Sequence, residues 1–333
     1  MILVTGGSGF IGANFIIDFL KKNNEPIVNL DKLTYAANQK NLLNIEALDN
    51  YFFEKGSIED YALVSSLLTK YQPRLVVNFA AESHVDRSIS KSDEFISTNI
   101  LGTYNLLKAC LNYFEDLKNG KKDKFRFIQI STDEVYGSLK DSDPQSTEES
   151  PYFPSSPYSA SKASGDHLVR SWYKTFGLPV VTTNCTNNYG PYQHHEKLIP
   201  KIINCCLKEE KIPVYGDGQN IRDWLFVQDH CEAISLISEK GKLGETYNIG
   251  GKNELRNIEV VQKICGLLDE IKPKKSGKPY SDQITFIEDR LGHDYRYGLN
   301  ISKIENEIGW KPKENFDSGI RKTIDWYLSK KNF

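Results

Sequence analysis

The segment Ile2-Leu3-Val4-Thr5-Gly6-Gly7-Ser8-Gly9-Phe10-Ile11-Gly12 constrains this chain more than any other. An apolar, β-branched run enters a glycine-rich turn, and a helix-period stretch over 11–22 follows. Gly7, Gly9 and Gly12 satisfy G-x-G-x-x-G, and Gly6, Gly9 and Gly12 satisfy the looser G-x-x-G-x-x-G. Such glycines let backbone N–H groups close on a pyrophosphate at the N-terminus of the following helix. A glycine turn by itself also ends strands for structural reasons, so context decides. Asp31 closes the second apolar run, Ile27–Leu30, about 20 residues on, where a carboxylate meets the adenine ribose hydroxyls of a dinucleotide. An acid there repels a 2′-phosphate and favours NAD over NADP, while Lys32 beside it acts in the opposite sense.

Apolar runs recur at Leu75–Phe79, Phe125–Ile130 and Val180–Thr183, with helix-period stretches at 60–70, 94–117 and 157–176. Strands buried on both faces and joined by crossover helices form an open parallel sheet. The fold class is therefore α/β, a Rossmann-type doubly wound parallel sheet. Beyond about residue 190 the pieces shorten and become rich in Gly, Pro and Tyr. That shift predicts an NAD-binding domain over 1–190 carrying the catalytic residues. A smaller, partly interleaved C-terminal substrate lobe occupies 191–333, with some chain returning to the first domain. Lys140–Phe153 and Lys272–Asp282 are polar and expected as loops.

A net charge of −2 on 333 residues provides no bulk field for nucleic acid or membrane partners, so any anionic ligand must be held by placed groups. No apolar run reaches the roughly 20 residues that span a bilayer, and the opening segment does not read as a signal peptide. Six cysteines without a CxxC pair read as free thiols in a reducing compartment, and a cytoplasmic location is expected. His84 has no second histidine in its segment, and His194-His195 are expected to point apart on a loop surface. No metal site is expected.

Tyr158 and Lys162 stand one turn apart at the head of a helix, in Ser156-Pro157-Tyr158-Ser159-Ala160-Ser161-Lys162. A tyrosine with a pKa of about 10 is a poor base at neutral pH. The neighbouring ammonium and a nicotinamide's positive charge are expected to bring that value down. Ser131-Thr132-Asp133-Glu134 follow the run Phe125–Ile130, at the strand end where open α/β sheets hold ligands. Adjacent carboxyl groups push their pKa values apart, which leaves one acid and one base. Thr132 offers a hydroxyl to the substrate oxygen that Tyr158 would serve. The run Ala80–Ser88 places small residues first and polar ones after, suited to a passing cofactor and then a substrate.

With these residues assembled, the chain resembles the extended short-chain dehydrogenase/reductases over nearly its whole length. Within them it is similar to the dTDP-glucose 4,6-dehydratases. TGGSGFIG and YSASK mark the superfamily. DKLTYA (Asp31–Ala36), AAESHVDRSI (Ala80–Ile89), STDEVYG (Ser131–Gly137), NCTNNYGPYQ (Asn184–Gln193), IRDWLFVQDH (Ile221–His230) and DRLGHD (Asp289–Asp294) are more specific. The resemblance implies conversion of dTDP-glucose to dTDP-4-keto-6-deoxyglucose and water, with a tightly bound NAD regenerated each turnover. It implies catalysis by Thr132, Asp133, Glu134, Tyr158 and Lys162: Tyr158 as base at the C4 hydroxyl, Glu134 at C5, and Asp133 as acid at the C6 hydroxyl. Implied cofactor contacts are Gly6, Gly9, Phe10, Ile11, Gly12, Asp31, Lys32, Leu33, Thr34, Ser57, Ile58, Ala80, Ala81, Thr98 and Asn188, together with Tyr158 and Lys162. Implied nucleotide-sugar contacts are Ser83, His84, Thr132, Asn187, Lys197, Leu198, Pro213, Tyr215, Arg222, Asn257, Asp289, Arg290 and His293. Arg222 reads as a diphosphate clamp, with a surface salt bridge as its plainer alternative. Relatives usually form homodimers through the helices corresponding to 94–117 and 157–176.

Three departures from the family pattern stand out: Ser57 where Asp is frequent, Leu291 where Pro is usual, and His194-His195 in place of Phe-Pro. They leave the preference between thymine and uracil open. Two other readings also stay open: another nucleotide-sugar enzyme (a UDP-sugar 4,6-dehydratase or a 4-epimerase), and a non-catalytic NAD-binding protein. The last would be expected to lack part of the Asp133, Glu134, Tyr158 and Lys162 set.

Overall fold

Each apolar run becomes a buried strand in the computed structural model, which describes residues 1–118 and 120–329. The strands are β1 (Ile2–Thr5), β2 (Ile27–Asp31), β3 (Tyr51–Lys55), β4 (Leu75–Asn78), β5 (Arg126–Thr132) and β6 (Val180–Cys185). They are followed by β7 (Asn187–Tyr189), β8 (Ile212–Tyr215), β9 (Ile221–Phe226), β10 (Thr246–Ile249), β11 (Glu254–Arg256) and β12 (Ile284–Ile287). Seven of them form one parallel sheet in the order β3-β2-β1-β4-β5-β6-β10. This is the Rossmann-type doubly wound sheet that the alternation of runs implies.

Side chains alternate across each strand, so two cores form on the two faces. Val4, Phe15, Ile128 and Tyr247 lie in one, and Leu3, Val76, Leu107 and Phe127 in the other. All strands of this sheet run the same way, but the order in which they are added reverses between β1 and β4, and ligands bind beyond the carboxyl ends of strands at such a switch point. The glycine turn and Ala80-Ala81 both sit there. A smaller lobe pairs β7, β9 and β11 in one sheet and β8 with β12 in another. Helices Leu198–Leu207, Asn257–Ile271 and Phe316–Ser329 pack over Tyr189, Trp224 and Phe226.

Three features differ from the sequence reading. The edge strand β3 and the strand β10 were not foreseen. β5 runs on to Thr132, so Thr132 ends the strand and its Oγ1 accepts the N–H of Glu134 at the head of a 3₁₀ turn, Asp133–Tyr136. The continuous helix over 94–117 is corrected: a short turn at Ser92–Phe95 and a π-helical stretch at Ile96–Gly102 precede the helix Thr103–Asp116. The cause is tertiary. Asn99 uses its amide on both backbone groups of Glu82 and on Ser161, which holds the widened turn inward.

Candidate active site

Gly6 adopts φ +70°, and a Cβ there would lie 2.6 Å from the Ala80 nitrogen, so only glycine suits this turn. A Cβ on Gly12 would lie 2.6 Å from the Gly6 carbonyl oxygen and 2.8 Å from Gly7 Cα. Gly12→Ala is therefore expected to push the helix Phe10–Lys22 off the turn and to destabilise the fold by about 1–3 kcal/mol. Thermal melting and the NAD content of the purified protein would register both effects. Asp31 ties the turn to β2, since its carboxylate accepts the N–H of Ser8 at 2.9 Å and of Leu33 at 2.8 Å.

Beyond the turn lies a cleft of about 280 Å³. Its wall holds every implied cofactor residue except Leu33, whose part is the backbone bond to Asp31. Six buried polar atoms of that wall lack a hydrogen-bond partner: Tyr35 Oη, His84 Nδ1, Asp133 Oδ2, Thr186 Oγ1, Asn187 Oδ1 and Gln193 Oε1. A glycine cradle closed to any Cβ, a carboxylate at the end of β2 and unsatisfied polar atoms farther in together fit a dinucleotide and a polar substrate. Lys32 is occupied elsewhere, since Nζ donates to Thr98 Oγ1 at 2.7 Å and to Glu59 Oε1 at 3.1 Å. Its charge is thereby drawn away from any 2′-phosphate.

Ser156 and Ser159 form a reciprocal capping box around Pro157, which starts the helix Pro157–Phe176 just ahead of Tyr158. Tyr158 is 9% exposed and meets the edge of the Phe95 ring, and Lys162 is 5% exposed with Nζ donating to the Ile130 carbonyl at 2.7 Å. Here the expected pKa direction is corrected. Burial, and then the negative charge of Glu134, hold the Tyr158 phenol well above its ordinary value, and the Thr132 hydroxyl opposes them. Burial also lowers Lys162. Desolvation of the buried phenol outweighs any pull from a neighbouring ammonium.

Asp133 and Glu134 differ as neighbours do when only one is shielded. Burial and the Glu134 charge raise Asp133 well above the carboxylate range. Burial raises Glu134 too, but Arg222, Arg290 and Lys197 draw it back. Arg222 is no surface residue, which corrects its plainer alternative. It is 6% exposed, lies over the Tyr297 ring and donates to the carbonyls of Ile221, Asp294 and Tyr295.

Of the implied substrate residues, Ser83, His84, Thr132, Asn187 and Lys197 line the cleft. Lys197 Nζ donates to the Ser83 carbonyl at 2.9 Å. A second group gathers on the smaller lobe's side: Tyr215 bonds Asp86, Arg290 stands 3.6 Å from Asp86, and His293 pairs with Asp289 at 2.7 Å. Leu198, Pro213 and Asn257 do not line the cleft. Leu198 packs into the small-lobe core, Pro213 lies within β8, and Asn257 opens a helix with its Oδ1 unpaired.

Tyr35, Glu82, Thr186, Gln193 and His194 line the cleft although no role was foreseen for them. Their signal was present, because all but His194 lie inside quoted motifs. The placement of His194-His195 is corrected: their rings lie 4.3 Å apart, and His194 turns into the cleft to meet Tyr35 edge-on.

A family model described as GDP-mannose 4,6 dehydratase matches residues 3–323. A dTDP-glucose 4,6-dehydratase of Xanthomonas campestris pv. campestris is 54% identical over 327 residues, covering 98% of this chain and 93% of that protein. A crystal structure of the Bacillus anthracis dTDP-glucose 4,6-dehydratase in complex with NAD superposes with TM-score 0.86 at 43% identity, covering 99% of this chain and 96% of that one. The Streptomyces venezuelae dTDP-glucose 4,6-dehydratase, solved with NAD and dTDP bound, gives 0.89 at 40% identity, covering 99% and 97%. The match runs from the glycine turn through the Thr132-Asp133-Glu134 triplet into the smaller lobe, and the chain belongs to the dTDP-glucose 4,6-dehydratase family of extended short-chain dehydrogenase/reductases.

Proposed function

We propose that this chain dehydrates dTDP-glucose to dTDP-4-keto-6-deoxyglucose, with NAD retained through each turnover. The observation that carries the reading is the meeting of an acid and a base, Asp133 and Glu134, with Tyr158 in one cleft beyond the glycine turn. NAD, held by the turn, Asp31 and the Ala80-Ala81 wall, supplies the acceptor for a hydride and its later return. Tyr158 takes the C4 hydroxyl proton as the C4 hydride leaves, and the Thr132 hydroxyl holds that oxygen. The resulting C4 ketone acidifies C5–H, and Glu134 removes that proton. Asp133 gives its proton to the C6 hydroxyl, which departs as water. Hydride returns to C6, Glu134 exchanges its proton with solvent and returns one to C5, and Tyr158 gives up its proton to solvent as Asp133 takes one back.

The shifted carboxyl groups set a pH dependence. Glu134 must be ionised, so activity falls as pH drops through its raised pKa. Asp133 must carry a proton, so activity falls again as pH rises through its own, more strongly raised value. A bell-shaped profile of kcat is expected, and Asp133→Asn should abolish its alkaline limb.

In this reading residues 1–190 carry NAD and the reacting groups, and residues 191–333 mainly hold the nucleotide sugar. β10 and the helix Val227–Lys240 return to the first domain. Ile96, Leu101 and Tyr104 are exposed on one helical segment and Phe176 on another, which supports a homodimer through these elements. No helix among the described residues is long and apolar enough to cross a membrane, and a cytoplasmic location is part of the proposal. Parallel incubation with dTDP-glucose and UDP-glucose, followed by product mass and ketone detection, tests substrate and base together. Efficient turnover of dTDP-glucose alone is expected, and equal turnover of both would overturn the thymine preference.

A further inference from the structure

A buried carboxylate on the helix of Tyr158 and Lys162 stands outside every role above. Asp166 lies one turn beyond Lys162 on the helix Pro157–Phe176 and is 4% exposed. Its Oδ2 accepts the Ser131 hydroxyl at 2.5 Å and the Tyr152 hydroxyl at 3.4 Å, while its Oδ1 is buried without a hydrogen-bond partner. From the same helix, Lys162 Nζ bonds the Ile130 carbonyl. Lysine and aspartate thus grip two successive residues of β5, directly ahead of Thr132, Asp133 and Glu134.

A lone ammonium buried this deeply sheds its proton, because desolvation disfavours the charged form. The groups able to oppose that are few. Lys162 faces Asp166 along its helix and the Cys185 thiol from β6, and that thiol is itself raised to about 12 and carries no charge near neutral pH. Asp166 faces Lys162, the Ser131 hydroxyl of β5 and Tyr152 of the 140–153 loop, with Tyr136 beyond. Tyr158 faces Asp133 and Glu134 past the end of β5, and Cys185. Among the described residues the carboxylate that favours a charged Lys162 is Asp166.

We infer that Asp166 is a positioning residue whose buried negative charge keeps Lys162 protonated and thereby sets the pH at which Tyr158 accepts the C4 proton. The inference rests on the role assigned to Tyr158 and adds a counter-charge behind it. Such a charge burdens the fold. Burial raises Asp166 from 3.8 to about 6, so its contribution to stability is present below the unfolded value and lost as pH rises through about 6. Asp166→Asn keeps the shape and an oxygen for Ser131, and is expected to raise the melting temperature at neutral pH while slowing the reaction. A purely structural aspartate would lower both.

Two measurements on the full chain test this. In the apoprotein, an NMR titration of the Lys162 ammonium, assigned by comparison with Lys162→Arg, should move down by about one pH unit or more in Asp166→Asn. In the holoenzyme, the first-turnover rise of reduced-nicotinamide absorbance on mixing with dTDP-glucose should slow about tenfold at neutral pH and recover at higher pH, one pH unit being a factor of ten. An unmoved Lys162 titration, or a rate loss equal at every pH, overturns the inference. Absence of the absorbance rise in the unmodified enzyme would instead overturn the assigned reaction, leaving the lysine titration to judge Asp166.

Discussion

Tyr158→Phe is expected to cut turnover of dTDP-glucose by about a thousandfold while the protein stays folded and keeps its NAD. A positioned acid–base group contributes about 10²–10⁴ in rate, and the lost hydroxyl is the one proposed to take the C4 proton. The substitution removes a single oxygen. The ring remains against Phe95, and the Ser156–Ser159 cap that sets the helix head is untouched. Thermal midpoint and bound NAD should match the unmodified enzyme. Retention of the full rate would contradict the assignment of Tyr158 as the base.

Glu134→Gln is expected to separate the two halves of the reaction. Glutamine cannot take the C5 proton, so product formation should fall by about 10²–10⁴. Oxidation at C4 should persist and even gain, because the Glu134 charge is the second-largest cause holding the Tyr158 phenol up, after burial. The variant should therefore accumulate reduced cofactor when mixed with dTDP-glucose, visible as near-ultraviolet absorbance. A variant that neither reduces its cofactor nor forms product would mean that Glu134 serves the first step as well.

The fold was legible where local pattern and tertiary structure agree. Ile2–Gly12 and Asp31 placed β1, the turn and β2, and the i, i+4 spacing of Tyr158 and Lys162 placed them on one helix face. The edge strand β3 was not legible: of its five residues, YFFEK, only Tyr51 is buried, and the strand ends on two charges. The π-helical stretch inside 94–117 was also hidden, since it depends on Asn99 reaching Glu82 and Ser161 from distant segments. Site chemistry divided in the same way. Residue types and spacing identified Thr132, Asp133 and Glu134. The upward shift of Tyr158, the capture of Lys32 by Glu59 and the inward turn of His194 depend on burial and on partners far along the chain. Asp166 escaped notice for the same reason, as a carboxylate inside an otherwise ordinary helical pattern.

The central claim is that Asp133 and Glu134 make an eliminating enzyme out of a fold built for hydride transfer, which requires the C5–H bond to break in every turnover. Turnover of dTDP-glucose in deuterated water, with the product analysed by mass and proton NMR, reads that bond directly. Deuterium at C5 of dTDP-4-keto-6-deoxyglucose is the predicted result, and a product with protium alone at C5 would contradict the account.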